Sequence, residues 1–234
     1  MAGKELKPLT IEEAAQVNLR DFPPGPMLSP AQSACSQTLL EKYISPDMQV
    51  TYTSFLYNAG SPDGKLLAFK VGLQLNLYNV IGGKCAFMRT LPYDSLPTSL
   101  SFNSRGNLLA AGYYGGEIVI WDIEHRKKQH VIRPSVTPSG ITEDASARLL
   151  ALSPDGRFLA TSSDRRTIRL WDVVNESLIG QLESTQEEQD FDELKAISFD
   201  PLGRKLVVVG RDRVIIWDAS PESWARRALA AAPR

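Results

Sequence analysis

Ser153-Pro-Asp-Gly156, followed by Ile168-Arg-Leu-Trp171-Asp172, is the stretch whose reading decides the fold. Pro154 presets φ for a turn, and Gly156 supplies the positive φ that other residues avoid. An apolar run, Phe158-Leu-Ala160, comes next, then a polar break, then an alternating run that ends in Trp171-Asp172. Short apolar runs separated by turn signals predict short antiparallel strands.

The same unit recurs three more times. Ser61-Pro-Asp-Gly64 precedes Leu75-Asn-Leu-Tyr78-Asn79, Asn103-Ser-Arg-Gly106 precedes Ile118-Val-Ile-Trp121-Asp122, and Asp200-Pro-Leu-Gly203 precedes Val214-Ile-Ile-Trp217-Asp218. From turn glycine to aromatic the spacing is 14, 15, 15 and 14 residues, and from aromatic to aromatic 43, 50 and 46. A repeat of that length is one supersecondary unit that cannot bury its faces alone, so the units must stack. Asp63 and Asp155 occupy equivalent turns, which gives them a structural reading before a catalytic one.

The set resembles the WD40 repeat family. Trp121-Asp122, Trp171-Asp172 and Trp217-Asp218 match the dipeptide that ends the third strand of a blade. Asp164 and Asp212 match the aspartate of the turn before that strand, and Gly64, Gly106, Gly156 and Gly203 fall in register. The resemblance covers about residues 49–218. It implies an all-β, WD40-type β-propeller with four recognisable blades, incomplete or completed by another chain, with short helical extensions at both ends. This sequence departs from the family in three ways. No Gly-His dipeptide occurs, so the family's His–Ser/Thr–Asp–Trp network is incomplete. Tyr78-Asn79 replaces Trp-Asp, and Gly115-Gly116 stands where the second unit's turn aspartate belongs. Blades one and two are therefore expected to be less rigid than blade three.

The expected division is an N-terminal extension (1–48), blades (49–219) and a C-terminal helical tail (220–234). In the extension, Thr10-Ile-Glu-Glu13 opens a helix over about 11–19, and Ser29-Pro30 caps another over about 31–43. The extension is readable as a docking arm, a strap or a disordered leader. Outer strands are expected near Cys85–Leu91, Lys128–Arg133 and Leu178–Leu182, with none for the last unit. Residues near 38–57 could supply that strand, and Pro134–Ser146 reads as an insertion loop. An open row of blades would leave an apolar face at each end. At Ser220-Pro-Glu222 the tail has N-cap features, and Pro221, Ser223, Trp224, Arg227 and Ala228 resemble the tails of some bacterial WD40 signalling proteins.

Composition narrows function further. The 234 residues are 43% hydrophobic and 23% charged with a net charge of −1, so no global field favours nucleic acid or a membrane. No apolar run reaches the roughly 18 residues needed to cross a bilayer, and the N-terminus lacks a signal-peptide core. Cys35 and Cys85 form neither a framework nor a CxxC pair, which favours a reducing compartment: cytoplasm, with the nucleus as a second option. Phosphate loops, nucleophile elbows and zinc motifs are absent, so no catalytic residue, cofactor or metal is expected.

The resemblance implies a face formed by strand two-to-three turns and blade-to-blade loops. Tyr113, Tyr114, Arg165, Arg166, Arg211 and Arg213 are the candidate partner-binding residues there, next to an acidic loop from Glu183 to Glu193. Tyr and Arg dominate interface hot spots, although the arginines could instead pair with the acidic loop. The basic run His125–His130 with Arg133 reads as a solvated outer strand before a phosphate-binding one. The leading expectation is a non-catalytic scaffold with protein partners, and a homo-oligomer or a partner chain could complete the propeller. The alternatives are a sensor portion of a bacterial signalling NTPase or protease system and a structural subunit of a large assembly.

Overall fold

Four antiparallel sheets follow one another along the chain in the computed structural model, which describes residues 28–43, 58–71, 73–133, 147–162, 167–183, 194–210 and 214–220. One helix, α1 (Pro30–Tyr43), precedes them. Blade one is β1 (Asn58–Gly60), β2 (Leu66–Val71), β3 (Gln74–Ile81) and β4 (Lys84–Leu91). Blade two is β5 (Pro97–Phe102), β6 (Leu108–Tyr113), β7 (Ile118–Asp122) and β8 (Lys127–Ile132). Blade three is β9 (Leu149–Leu152), β10 (Phe158–Ser162), β11 (Thr167–Asp172) and β12 (Ser177–Glu183). Blade four has three strands among the described residues: β13 (Ala196–Phe199), β14 (Lys205–Val209) and β15 (Val214–Asp218).

Register explains why the repeat has its spacing. The third-strand aromatics Tyr78, Trp121, Trp171 and Trp217 stand opposite Leu67, Leu109, Leu159 and Leu206. Paired residues share a face, so each aromatic and its leucine lie on the side turned toward the preceding element. In the first three blades a register shift falls immediately before the aromatic, where the third strand meets the fourth.

The core is a series of layers between sheets. The far side of blade one (Ala68, Leu75, Leu77) packs on Leu109, Ala111 and Trp121 of blade two. The far side of blade two (Ala110, Ile118, Ile120) packs on Leu159 and Trp171 of blade three. The far side of blade three (Ala160, Ile168, Leu170) packs on Leu206, Val208 and Ile215 of blade four. The near side of blade one instead meets α1, where Leu67, Phe69, Tyr78 and Val80 surround Cys35 and Leu39.

The first turn of each blade repeats in chemistry as well as in shape. Ser61 Oγ donates to Asp63 Oδ1 at 2.6 Å and accepts from the Leu66 amide at 2.8 Å. Ser153, Asp155 and Phe158 repeat this at 2.6 and 2.8 Å. In blade two the carboxamide of Asn103 accepts from the Leu108 amide at 3.0 Å, and in blade four Asp200 accepts from the Lys205 amide at 2.7 Å. Three residue types thus satisfy one turn, because each places an oxygen where the amide five residues on needs an acceptor. The glycine of each turn rests on what precedes it. A Cβ at Gly106 would lie 3.2 Å from Ser61, one at Gly156 2.4 Å from Leu108, and one at Gly203 3.3 Å from Pro154.

Several expectations change. Cys35 and Cys85 are joined by a disulfide. Sequence inspection missed it because partners 50 residues apart share no motif, and only the docking of α1 brings them together. The bond removes the argument for a reducing compartment that rested on unpaired cysteines. Residues 38–43 are helical, so they supply no strand to blade four. The expected helix over 11–19, residues 44–57, the insertion 134–146, the acidic residues 184–193 and the tail 221–234 lie outside the described residues. No described helix is long and apolar enough to cross a membrane.

Candidate functional site

Antiparallel order sends the strand two-to-three turns and the blade-to-blade loops to the same end of every sheet. Tyr113 and Tyr114 straddle the start of that turn in blade two, and the structure separates them. Tyr113 is 1% exposed, whereas Tyr114 is 71% exposed. Strand parity is the cause. Leu109, Ala111 and Tyr113 are alternate residues of β6 and point into the layer shared with blade one. The reading of Tyr113 as a partner-binding residue is therefore corrected: it is a core residue.

Tyr114 begins a turn that carries Gly115 and Gly116 at φ of 97° and 89°. The Tyr113 amide donates to the Glu117 carbonyl at 2.8 Å, and the Gly116 amide to the Tyr113 carbonyl at 3.0 Å. Left-handed glycine backbone thus closes this turn without the aspartate of the family pattern. Tyr114 is also tied to the blade-to-blade loop: its amide donates to the Leu96 carbonyl at 2.8 Å, and Ser95 Oγ donates to the Tyr114 carbonyl at 2.8 Å. The backbone is held while the phenol is free. Leu73, in the equivalent turn of blade one, is 67% exposed.

A polar cluster buttresses this turn. The Tyr93 hydroxyl donates to Glu117 Oε2, and Arg133 Nε donates to Glu117 Oε1 at 2.8 Å. Lys128 Nζ sits 4.7 Å from the centre of the Tyr93 ring, which leans on Tyr113 with centroids 4.1 Å apart. The Tyr93 hydrogen bond, together with Arg133, holds the Glu117 carboxyl below its usual range despite partial desolvation. Burial, then the Glu117 carboxylate, pushes the Tyr93 phenol up to about 12. No motif announces this cluster, because Tyr93, Glu117 and Arg133 belong to no repeat position.

The basic run is dispersed. His125 Nδ1 lies 2.8 Å from Asp122, His130 Nδ1 3.2 Å from Glu176, and Lys128 over Tyr93. These three side chains thus engage local partners.

The aspartates of the dipeptides cap the next turn. Asp122 accepts from the His125 amide at 2.8 Å, Asp172 from the Asn175 amide at 3.0 Å, and Asp218 from the Ser220 amide at 2.8 Å. The tryptophans differ. Trp171 Nε1 donates to Thr161 Oγ1 at 3.0 Å. Blade two has Ala111 at the register position of Thr161, and the Trp121 N–H and the Tyr113 hydroxyl, both buried, find no partner of hydrogen-bonding geometry. Burial pushes the Tyr113 phenol up to about 12, opposed in part by the Trp121 N–H beside it. Asp164, Asp212, Arg165, Arg166, Arg211 and Arg213 lie outside the described residues.

No group of three or more His, Cys, Asp or Glu side chains poised for a metal occurs among the described residues. A cleft of about 600 Å³ runs between α1 and blade one, lined by Leu39, Asn76, Tyr78, Lys84 and Phe87.

The WD domain, G-beta repeat family model matches residues 87–122 and 144–172, which contain two of the three Trp-Asp dipeptides. This chain carries WD repeats. The WD-repeat chain is 32% identical to small ribosomal subunit protein RACK1 of Caenorhabditis elegans, over 48% of this chain and 35% of that protein. It is 25% identical to transducin beta-like protein 3 of Mus musculus, over 87% of this chain and 22% of that protein. The solved structure of U3-55K superposes with a TM-score of 0.55 at 20% identity, covering 74% of this chain and 51% of that one. The WD-repeat chain thus spans about half of that propeller structure and about a third or less of these two relatives.

Proposed function

We propose that this WD-repeat chain is a non-catalytic platform that holds a protein partner on the face carrying Tyr114 and Leu73. The observation that carries the reading is Tyr114: a 71% exposed aromatic on a backbone fixed by bonds to Ser95 and Leu96. An exposed tyrosine whose backbone is already ordered loses little entropy on binding, and that is how interface anchors gain affinity. Arg165, Arg166, Arg211 and Arg213 fall in the corresponding turns by sequence, and the proposed face extends to them. RACK1 is by name a ribosomal subunit protein, which favours a subunit of a large assembly over the sensor part of a bacterial signalling enzyme. We place its action in the cytoplasm or nucleus.

The test is affinity capture with the full chain and with Tyr114→Ser plus Leu73→Ser. The double variant is expected to keep its melting temperature and to lose its partners. Retention of every partner by a folded double variant overturns the face. Hydrolysis of a generic ester or phosphate that one aspartate substitution abolishes overturns the non-catalytic reading.

A further inference from the structure

We propose that α1 is a surrogate blade, latched by the Cys35–Cys85 disulfide over a blade-docking surface whose alternative occupant is blade four of a second copy of this chain.

The near side of blade one is built like the near sides of the other blades. Tyr78 and Leu67 stand where Trp121 and Leu109, Trp171 and Leu159, and Trp217 and Leu206 stand. Each of the latter pairs meets the far side of a preceding blade, whereas Tyr78 and Leu67 meet α1. The mimicry extends to the turns. Gly106, Gly156 and Gly203 each rest on a preceding blade, and Gly64 rests on Ser29, which would lie 3.5 Å from a Cβ there. Ser29 and Gln32 cap α1 reciprocally: the Gln32 amide donates to Ser29 Oγ at 3.2 Å, and the Ser29 amide to Gln32 Oε1 at 2.8 Å. Gln32 Nε2 then donates to the Ser61 carbonyl at 3.0 Å and the Leu66 carbonyl at 2.8 Å.

A helix nevertheless fills a blade's place imperfectly. The 600 Å³ cleft remains between α1 and the sheet, and Phe87 at its edge is 61% exposed. Cys35 and Leu39 are the fully buried apolar side chains of α1 in the contact, beside the buried polar Gln32 and Ser36, and the covalent bond to β4 adds to that small apolar hold. At the other end of the row, the far side of blade four carries Val207, which is buried, and Val209, Val214 and Ile216, which are half-buried. These are the register equivalents of the residues by which blades one to three receive the next blade, and no described core cluster includes them. That side fits the near side of blade one once α1 has left. Two copies joined head to tail at both ends give eight blades, within the range of closed propellers, and one copy covers 51% of the U3-55K chain.

The latch opens by thiol–disulfide exchange with a dithiol reductant. One reductant thiolate attacks a sulfur of the pair, the Cys35–Cys85 bond breaks, and the departing thiolate takes up a proton. The second reductant thiol then displaces the remaining cysteine as a thiol, leaving the reductant as a cyclic disulfide. In the cytoplasm or nucleus proposed above, a disulfide is usually transient and redox-sensing or catalytic.

The experiment measures native mass and amide exchange of the full chain, oxidised and after treatment with dithiothreitol. Expected are a monomer of 25.8 kDa with α1 protected when oxidised, and a particle of twice that mass, with exchange over residues 30–43 at least tenfold faster, when reduced. Cys35→Ser with Cys85→Ser should reproduce the reduced behaviour without reductant, and adding Ile216→Lys should return it to monomer. A monomer in both states, a dimer in both states, or unchanged α1 protection on reduction each overturns the proposal. None of these readouts involves Tyr114 or Leu73, so partner capture and this latch fail independently.

Discussion

Blades two and three share turn, register and the Trp-Asp ending, yet they place their polarity in opposite regions. Blade three keeps it inside: Thr161 accepts from Trp171 at 3.0 Å between two sheets. Blade two has Ala111 at that position, leaves the Trp121 N–H and Tyr113 hydroxyl without bonding partners, and assembles Tyr93, Glu117 and Arg133 near its rim. A repeat can evidently lose an internal hydrogen bond when the surrounding layer is well packed, and spend its polar groups on holding an exposed turn.

The largest expected effect that breaks the contrast comes from removing the internal acceptor. Thr161→Val keeps the volume and strands the Trp171 N–H, which should cost roughly 1–3 kcal/mol in denaturant unfolding. Ala111→Val at the matching position of blade two removes no bond, so any loss there reports overpacking alone. Next in size, Gly156→Ala should cost more than Gly64→Ala. Both pay the roughly 1–2 kcal/mol of a left-handed alanine, but the first also drives its Cβ to 2.4 Å from Leu108. Equal losses in thermal melts would show that Leu108 yields freely.

Smaller and opposite in sign, Ala111→Ser offers Trp121 an acceptor and should stabilise by about 0.5–1 kcal/mol. A loss of stability would mean that the layer has no room for the hydroxyl. Smallest is the pH response of the rim. Tyr93 titrates higher in the fold than in the unfolded chain, so its contribution is complete below about pH 10 and is lost as pH rises toward about 12. Glu117 is depressed, so its contribution is present above the ordinary carboxylate range and is lost as pH falls through its lowered value. Glu117→Gln should reduce the acid response, leaving the share of Asp63, Asp122 and Asp172, whose carboxyls are also lowered, and shrink the alkaline one, read from the unfolding midpoint across pH.

What could be read in advance follows from what repeats. The four turns, the strand ends at Trp121, Trp171 and Trp217, the outer strands and the cap at Ser29 were legible because each obeys a local rule. Tyr113 was misjudged although its parity with Leu109 and Ala111 was in the sequence; a turn label outweighed a strand pattern. The disulfide and the Tyr93–Glu117–Arg133 cluster were not legible, since each depends on how elements dock. The positions of Arg165, Arg166, Arg211 and Arg213 rest on sequence alone.

The seating of each turn glycine on its predecessor sets an order of events. Gly64 leans back on Ser29, Gly106 on Ser61, Gly156 on Leu108 and Gly203 on Pro154. In every case the support lies earlier in the chain. As the polypeptide leaves the ribosome, N-terminus first, each new sheet finds its seat already made and has no need to wait for sequence still to be translated. Assembly can thus proceed like masonry, one course at a time, with the first course laid on a short helix.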